Sequence, residues 1–234
     1  MVKSKYMNQK STLRFNFDKI AGGYDEWYQT AQGAMYDKLE KKAFDKLLAN
    51  YHNGSQLLEI GCGTGHWSRY FSDKGFEVTG IDISEQMVRI AGTKDIPNCR
   101  FHVADGQSLP FFNNSFDAAA AITTLEFAEN PQKLISEMAR CIKPGGRLLF
   151  GVLNSLSSYN LKRKKKAKSV YASARLFSPD QLKSLLGSFG TVKILIAGFV
   201  PQIKWLIWVS PLFEYLCRLM GRNNGAFIAA EVQL

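Results

Sequence analysis

One stretch constrains the fold of this chain more than any other: a short, mostly apolar run followed by three alternating glycines. It reads Leu57-Leu58-Glu59-Ile60-Gly61-Cys62-Gly63-Thr64-Gly65. The run is too short for a helix and is typical of a buried strand. The glycines predict a sharp turn at which the backbone approaches a ligand closely, because they carry no Cβ. Trp67, Tyr70 and Phe71 follow at helical spacing, so the stretch predicts a strand, a turn and a helix N-terminus, as in nucleotide-type sites.

The spacing of the glycines distinguishes two kinds of site. A dinucleotide fingerprint, Gly-x-Gly-x-x-Gly, would place its third glycine where His66 stands. The spacing present, Glu59-x-Gly61-x-Gly63-x-Gly65, resembles instead the first motif of the class I methyltransferases that use S-adenosylmethionine (SAM). Because SAM carries no phosphate, the resemblance implies that the glycines allow close packing against its methionine and ribose parts.

Length and cysteine usage limit the alternatives. A chain of 234 residues is the size of one α/β domain. Its four cysteines are far apart and form no Cys-x-x-Cys pair: Cys62, Cys99, Cys141 and Cys217. This spacing argues against a zinc site and a disulfide framework, so no metal is expected, and it favours a reducing, cytoplasmic setting. Residues 1–10 lack an apolar segment, so no signal peptide is expected.

The chain is strongly basic. Its 30 Lys and Arg residues against 20 Asp and Glu residues give a formal net charge of +10. Such an excess suits nucleic acid, an anionic membrane or an acidic substrate as a partner. Six of the positive charges form one run: Lys162, Arg163, Lys164, Lys165, Lys166 and Lys168. Runs of this kind are often solvated, and we predict a basic loop over residues 161–175.

Strand and helix patterns alternate along the chain. Strands are predicted from Gln56 and over residues 77–82, 100–104, 116–122, 147–152, 192–197 and 225–232. Helices are predicted from Met35, after the glycine turn, and from Ser84, Pro131 and Ser178. Residues 199–220 are apolar and aromatic but follow no regular pattern. The alternation predicts a parallel sheet with helices on both faces.

Polar residues or glycine follow four of the predicted strands: Gly61, Asp82, Asp105 and Thr123. In open α/β sheets the ligand binds beyond the carboxyl ends of the strands. For SAM, Asp82 would accept hydrogen bonds from both ribose hydroxyls, because a carboxylate is an acceptor at both oxygens. Asp105 would accept one from the adenine amino group, and Ile83 and Met87 would enclose the adenine ring.

Further motifs resemble the type 11 methyltransferase family. Beside the glycine motif they are Phe17-Asp18-x-x-Ala21-x-x-x-Tyr24-Asp25, Ile81-Asp82-Ile83-Ser84, Ala104-Asp105-Gly106, Leu109-Pro110-Phe111, Phe116-Asp117 and Lys143-Pro144-Gly145-Gly146. The resemblance covers residues 17–152 and, more loosely, the remainder. That family includes C-methyltransferases of ubiquinone and menaquinone synthesis and the malonyl carrier protein O-methyltransferase of biotin synthesis. It implies an α/β, Rossmann-like sheet of seven mostly parallel strands, with helices on both faces and an antiparallel last strand at one edge, residues 225–232.

The resemblance also implies the site. SAM is the expected cofactor and S-adenosylhomocysteine (SAH) the product. The expected cofactor contacts are Tyr24, Tyr28, Glu59, Gly61, Cys62, Gly63, Gly65, Asp82, Ile83, Met87, Asp105, Gly106, Gln107 and Thr123. One domain over residues 1–234 is expected, with an N-terminal lid at about residues 14–50 that brings Tyr24, Trp27 and Tyr28 over the cofactor. The basic loop and an apolar cap are expected within about residues 153–222.

The leading hypothesis is direct methyl transfer to a small or apolar molecule. Tyr24, Tyr28 and Glu126 are the candidate catalytic residues, and none has an assigned role. The predicted fourth strand is followed by Thr123-Thr124-Leu125-Glu126-Phe127 and not by the Asn/Asp-Pro-Pro-Tyr/Phe run of amino-group methyltransferases.

Two other functions stay open. One is an RNA methyltransferase that uses the basic run over residues 162–168, although nucleic acid is the less favoured partner. The other is a non-catalytic SAM-binding protein whose lysines, Trp205 and Trp208 meet an anionic membrane. Prolines and charged residues interrupt residues 199–220, so a transmembrane segment is not expected, while peripheral membrane contact stays open.

Overall fold

The computed structural model describes residues 16–48, 51–166 and 169–234. Residues 1–10, the predicted start of the lid at residue 14, and Lys168 lie outside the described residues. Within them the chain forms seven strands: β1 Gln56–Ile60, β2 Glu77–Asp82, β3 Cys99–Val103, β4 Phe116–Ile122, β5 Ile142–Leu153, β6 Thr191–Ala197 and β7 Phe227–Gln233. Their order in the sheet is β3-β2-β1-β4-β5-β7-β6.

Helices flank the sheet. In the described part of the chain they are α1 Glu26–Gln29, α2 Ala31–Leu47, α3 His66–Asp73, α4 Glu85–Thr93, α5 Pro131–Cys141, α6 Ser158–Lys164, α7 Pro179–Leu186 and α8 Ser210–Leu219. The same ranges contain three 3-10 helices, which cover Phe17–Gly23, Val170–Ser173 and Lys204–Val209. Side-chain caps fix the starts of α4, α5 and α7, where Ser84, Asn130 and Ser178 accept hydrogen bonds from backbone N–H groups of the first turn.

The last strand has the predicted direction but a different position. β7 pairs antiparallel with both β5 and β6, and the other paired strands are parallel. This confirms a Rossmann-like, mostly parallel sheet with an antiparallel last strand. The expected edge position was wrong, because β7 lies between β5 and β6, and β6 forms the edge. Six of the seven residues of β7 are buried, as an interior strand requires.

Two apolar cores cover the two faces of the sheet, and β4 contributes to both. Ala118 packs in the core that contains Phe44 of α2 and Phe71 of α3. Ala119 packs in the other core, with Met138 of α5 and Leu182 of α7. Burying one large apolar side chain stabilises a fold by about 1.5–3 kcal/mol. Because helices cover both faces of the sheet, a ligand can bind only beyond the ends of its strands. In open α/β sheets this is at the carboxyl ends.

The segment Pro144-Gly145-Gly146, which precedes the strand predicted over residues 147–152, lies within β5 as an irregularity. Phe116 of β4 pairs with Ile142, and Ala118 pairs with Arg147, so the two strands advance by different numbers of residues. β5 consequently begins five residues earlier than the apolar pattern indicated.

The predicted basic loop was wrong for residues 161–164, which belong to α6 Ser158–Lys164. Asn160 is buried in this helix and donates to the backbone carbonyls of Asn154 (3.0 Å) and Ala226 (2.6 Å), which anchors the helix to the sheet. Lys162, Arg163 and Lys164 then lie in its last turn, where the helix dipole favours positive charge.

Residues 199–220 are more regular than predicted. They contain the 3-10 helix Lys204–Val209 and α8. No helix within the described ranges is both long enough and apolar enough to cross a membrane.

Candidate active site

A cavity of about 700 Å³ lies at the carboxyl ends of β1, β2 and β4, and we refer to it as the first cavity. Its lining residues are Phe17, Tyr24, Ile60, Gly61, Gly63, Ile81, Asp82, Ile83, Met87, Ala104, Asp105, Gly106, Gln107, Ile122, Thr123, Thr124, Phe127, Ala128 and Leu134. Ten of the fourteen predicted cofactor contacts are among them. Its mostly apolar walls with a few carboxylates and amides are typical of a small-molecule site.

The glycine turn forms one wall of the first cavity. Gly61 has φ +70°, and a Cβ there would lie 2.3 Å from Oγ1 of Thr124. Gly63 has φ +53°, and the nearest atom to a Cβ there would be in the ring of Tyr24, 3.9 Å away. Gly61 is thus required by packing and by backbone conformation. At Gly63 the positive φ is the local requirement, since the protein itself leaves space.

Asp82 joins the end of β2 to this turn. Its Oδ2 accepts a hydrogen bond from the N–H of Gly63 at 2.9 Å, and its Oδ1 accepts one from the N–H of Ser84 at 2.9 Å. Burial raises the pKa of this carboxyl, and hydrogen bonds from the backbone of Ser84, Gly63 and Ile83 act in the opposite direction. The carboxylate therefore fixes the shape of the turn while it lines the cavity.

Asp105 follows β3 on the same side of the cavity. Its Oδ1 accepts a hydrogen bond from the N–H of Gln107 at 2.8 Å. The Gln107 side chain in turn accepts one from the N–H of Asn130 at 2.9 Å. This chain of contacts links the loop after β3 to the start of α5 and leaves the second oxygen of Asp105 available for a ligand.

The N-terminal segment reaches across the cavity through polar contacts. Asp18 accepts a hydrogen bond from the Ser84 hydroxyl at 2.5 Å. Asp25 accepts one from the Thr64 hydroxyl at 2.6 Å and pairs with Lys94. Ala21 is the buried residue of Phe17–Gly23, and α1 buries none. These contacts hold the segment in place with little apolar burial, and its role as a lid stays a prediction.

Four predicted cofactor contacts do not line the first cavity. Glu59 is buried behind the turn, where it accepts a hydrogen bond from the Ser68 hydroxyl at 2.5 Å, and burial raises its pKa to about 8. Cys62 is buried beside it, and burial raises its pKa as well. Gly65 is the N-cap of α3, and Tyr28 stacks on His66 at 3.6 Å between ring centroids.

A second cavity of about 910 Å³ adjoins the first. Its lining residues are Ile20, Gly23, Tyr24, Trp27, Tyr28, Tyr36, Glu40, Trp67, Thr123, Leu153, Tyr159, Asn160, Arg163, Val170, Tyr171 and Ala226. Among the described residues only Tyr24 and Thr123 line both cavities, which makes them a shared wall. Thr123 has φ +49°, a backbone conformation that is costly for a β-branched residue and is concentrated at functional sites.

Flat rings and one cation characterise the second cavity. Tyr36 stacks on Tyr159 at 4.7 Å between ring centroids. The Arg163 guanidinium lies 3.5 Å from the centroid of Tyr171, 5.1 Å from that of Tyr159 and 5.3 Å from that of Trp27. Arg163 belongs to none of the ion pairs found among the described residues. Its charge is stabilised by aromatic faces and is not neutralised by an ion pair.

Burial raises the pKa of several titratable residues at or near the second cavity. Burial raises the pKa of Glu40 to about 8, and the neighbouring Asp37 carboxylate acts in the same direction. Burial also raises the pKa of Tyr24 and Tyr28 well above the usual value. Glu126 is fully buried, accepts a hydrogen bond from the N–H of Leu153 at 2.6 Å, and lines neither cavity. Its burial raises its pKa to about 7.

Sequence reasoning missed the side chains that give the second cavity its character: Tyr36, Glu40, Tyr159, Arg163 and Tyr171. Arg163 was treated as one more charge in a basic run. If residues 158–164 had been predicted as a helix, Tyr159 and Arg163 would have been placed together, because residues four apart lie on one helix face.

Known proteins resemble this chain in sequence and in fold. A family model described as a methyltransferase domain matches residues 58–150. An uncharacterised protein of Methanocaldococcus jannaschii is 33% identical over 176 residues, covering 74% of this chain and 80% of that protein. A demethylmenaquinone methyltransferase of Tropheryma whipplei is 34% identical over 139 residues, covering 58% of this chain and 57% of that enzyme. The match thus spans little more than half the length of that relative.

A solved structure supports the same assignment of the fold. The crystal structure of a SAM-dependent methyltransferase from Thermotoga maritima superposes with a TM-score of 0.73 at 23% identity, covering 93% of this chain and 97% of that one. Together with the glycine motif and the strand order, these findings confirm the family resemblance. The chain belongs to the class I SAM-dependent methyltransferases, and SAM is its cofactor.

Proposed function

We propose that this chain methylates a small molecule that binds in the second cavity while SAM occupies the first. One observation carries the proposal: the two cavities are adjacent and share the wall formed by Tyr24 and Thr123. A methyl donor in the first cavity and an acceptor in the second would come into contact beside Tyr24 and Thr123. The relative that acts, by its name, on demethylmenaquinone supports a small-molecule acceptor.

The residues of the first cavity fit SAM. The Asp82 carboxylate suits the two ribose hydroxyls, and its backbone hydrogen bonds keep it oriented. Ile83 and the fully buried Met87 suit the faces of the adenine ring. The space beside Gly63 suits the part of the cofactor that passes closest to the backbone. When bound, SAM supplies a methyl group on a positively charged sulfonium.

The contribution of the protein is alignment. Methyl transfer by direct displacement needs the two reactants in line at contact distance, and positioning supplies about 7–11 kcal/mol of the barrier reduction in such reactions. Thr123 is fixed by its N–H, which donates to the carbonyl of Gly151 at 2.7 Å. Tyr24 is a neutral phenol at physiological pH, and burial raises its pKa further, so it serves as a hydrogen-bond donor and an apolar surface.

The second cavity favours a flat, largely apolar acceptor that carries an acidic group. Tyr36 and Tyr159 supply ring faces on which a planar molecule stacks. Arg163 supplies a positive charge that forms no ion pair among the described residues, and a guanidinium recognises carboxylate and other oxyanions through paired donors. Glu40, with a pKa of about 8, is mostly uncharged at neutral pH and leaves that charge uncompensated.

Glu40 is also the candidate proton acceptor. A base is needed only if the acceptor loses a proton, and its best pKa lies near the working pH. The raised pKa values of Tyr24 and Tyr28 make both poor bases at neutral pH. Glu126 lines neither cavity. Glu40 lines the second cavity and has a pKa of about 8, which meets both requirements.

Transfer of radiolabel from methyl-labelled SAM tests the proposal. Extracts are separated into small molecules, RNA and protein, and each fraction is incubated with the purified chain. We expect label in the small-molecule fraction, and we expect Tyr36→Ala to lower the transfer rate strongly without changing SAH affinity. Label in RNA would favour the RNA methyltransferase, and tight SAM binding without label in any fraction would favour a non-catalytic protein. A Tyr36→Ala variant that transfers methyl groups at the normal rate would contradict the acceptor site.

A further inference from the structure

Helix α8 turns its polar side inward. Ser210, Glu214 and Cys217, at helical spacing, are 0%, 5% and 3% exposed. Leu212 and Leu219, on the other side, are 62% and 73% exposed. Surface helices of soluble domains normally show the reverse arrangement, with the apolar stripe toward the core.

An ion pair between buried Glu214 and half-buried Arg218 fixes this orientation. Oε2 of Glu214 accepts a hydrogen bond from the N–H of Phe199 at 2.8 Å, and its Oε1 lies 2.9 Å from Nη2 of Arg218. Rotating the helix to hide its leucines would expose Ser210 and Cys217 and would separate Glu214 from the Phe199 backbone, leaving a buried N–H without its acceptor. The outward apolar side is therefore a property of the folded structure.

The exposed apolar surface extends beyond the helix. Nine of the thirteen exposed large apolar side chains in the described part of the chain lie within residues 203–220. They are Ile203, Trp205, Trp208, Leu212, Phe213, Tyr215, Leu216, Leu219 and Met220, and we name them the apolar face. Trp205 and Trp208 are 72% and 74% exposed. A contiguous segment of this kind is typical of an interaction site.

The geometry points to an anionic membrane surface as the occupant of the apolar face. Trp and Tyr are enriched where protein meets the lipid headgroups, and short amphipathic helices insert such residues there. The only acidic residue of residues 203–222 is Glu214, which is buried and paired, while Arg222 is exposed. A second copy of the chain fits less well, because each copy carries a formal net charge of +10.

The basic end of α6 borders the same region. Lys162, Lys165 and Lys166 are exposed. Tyr159 of α6 and Ile207 of the 3-10 helix before α8 pack against one small core around Tyr36. Exposed lysines beside an apolar face add attraction to anionic headgroups, about 1 kcal/mol for each charge near the surface. Membrane docking by the apolar face does not depend on what binds in the second cavity.

Vesicle binding by the full chain tests the inference. We compare vesicles of phosphatidylcholine alone with vesicles that also contain phosphatidylserine, by co-sedimentation and by the shift of tryptophan fluorescence. The wild-type chain should bind the anionic vesicles and shift its fluorescence to the blue. The double variant Trp205→Ser/Trp208→Ser should bind about tenfold or more weakly. Phe112→Ser is the matched control, because Phe112 is 89% exposed but lies far from the segment in sequence.

Three results would overturn the inference. The first is absence of binding to anionic vesicles by the wild-type chain. The second is equal binding by the double tryptophan variant whose melting temperature equals that of the wild type. The third is a dimer, detected by light scattering, that the double variant converts to a monomer, since the apolar face would then be covered by a second copy. Unchanged SAH affinity in the double variant excludes general damage to the fold.

Discussion

The first and second cavities meet at Tyr24 and Thr123 but are built from different parts of the chain. The first is lined by the glycine turn and by residues at the ends of strands. The second is lined mainly by side chains outside the sheet, such as Tyr36 of α2 and Arg163 of α6. A site made from backbone and strand ends is inseparable from the fold, whereas a site made from helix side chains changes with a few substitutions. We therefore expect cofactor binding and acceptor binding to be separable by mutation.

The largest expected effect is on the first cavity, which the glycine turn lines. Gly63→Val should remove SAH binding that calorimetry can measure, because φ +53° disfavours a β-branched residue and the added methyl groups would enter the first cavity. Gly92→Val in α4 is the matched control, since a Cβ there meets nothing within 4 Å. Normal SAH affinity in a folded Gly63→Val protein would mean that the cofactor binds elsewhere.

Arg163→Met should damage the second cavity alone. Hydrogen bonds to charged groups contribute about 1.5–3 kcal/mol, so kcat/KM for the acceptor should fall roughly 10- to 100-fold. SAH affinity should stay unchanged, because Arg163 does not line the first cavity. Lys162→Met, which removes an exposed charge from the same helix, serves as the control. Equal losses in both variants would indicate that the whole basic run, and not Arg163, attracts the substrate.

Asp82→Ala should weaken cofactor binding by a smaller factor. Loss of the charged acceptor for the ribose hydroxyls should lower SAH affinity about tenfold. The N–H of Gly63 would also lose its partner, which loosens the glycine turn. Calorimetry on a variant with an unchanged melting temperature is the measurement. Unaltered affinity would rule out Asp82 as the ribose contact.

The pH profile probes Glu40. Its pKa of about 8 is raised by burial, so its base form appears as the pH rises through 8. If Glu40 accepts a proton from the acceptor, kcat/KM should rise about tenfold between pH 7 and pH 9. Glu40→Gln should flatten this rise and leave SAH affinity at both pH values unchanged. A profile of the same shape in the variant would show that another group titrates.

Deleting the N-terminal segment, which carries Tyr24 of the shared wall, should have the smallest effect on stability. Deleting residues 1–28 should weaken SAH binding and slow methyl transfer, because Tyr24 and the contacts of Asp18 and Asp25 are lost. The melting temperature without ligand should change little, since Ala21 is the buried residue of Phe17–Gly23 and α1 buries none. A collapse of stability on this deletion would make the segment part of the core and end the lid hypothesis.

The sequence predicted the sheet well, for a physical reason. β2 and β4 were predicted with the bounds they have. From Ala118 to Ile122, β4 shows the unbroken small or apolar run of a strand that helices cover on both faces, whereas β2 is a shorter mixed run that ends in Asp82. The strand ends then located Gly61, Asp82 and Asp105 at one cavity. Burial of Glu59 and Cys62 behind the turn was not predictable, since adjacent residues of a motif can face opposite sides.

The second cavity was not predictable in the same way. Its residues come from α1, α2, α6 and the 3-10 helix Val170–Ser173, which meet only in the folded chain. The charge of residues 162–166 obscured the helix that positions Arg163. Similarly, α8 escaped detection because its apolar residues face outward, which removes the usual relation between an apolar stripe and a core.

The position of β7 has a consequence for synthesis of the chain. β7 comes last in the sequence but fills the gap between β5 and β6, and pairs along its length with both. Until residues 227–233 have left the ribosome, β5 and β6 each present an unpaired strand edge, and apolar edges of this kind are sites of intermolecular association. The nascent chain thus carries both unpaired edges until β7 is made, and slow translation before residue 227, or a chaperone that binds nascent chains, would have its greatest effect at that stage.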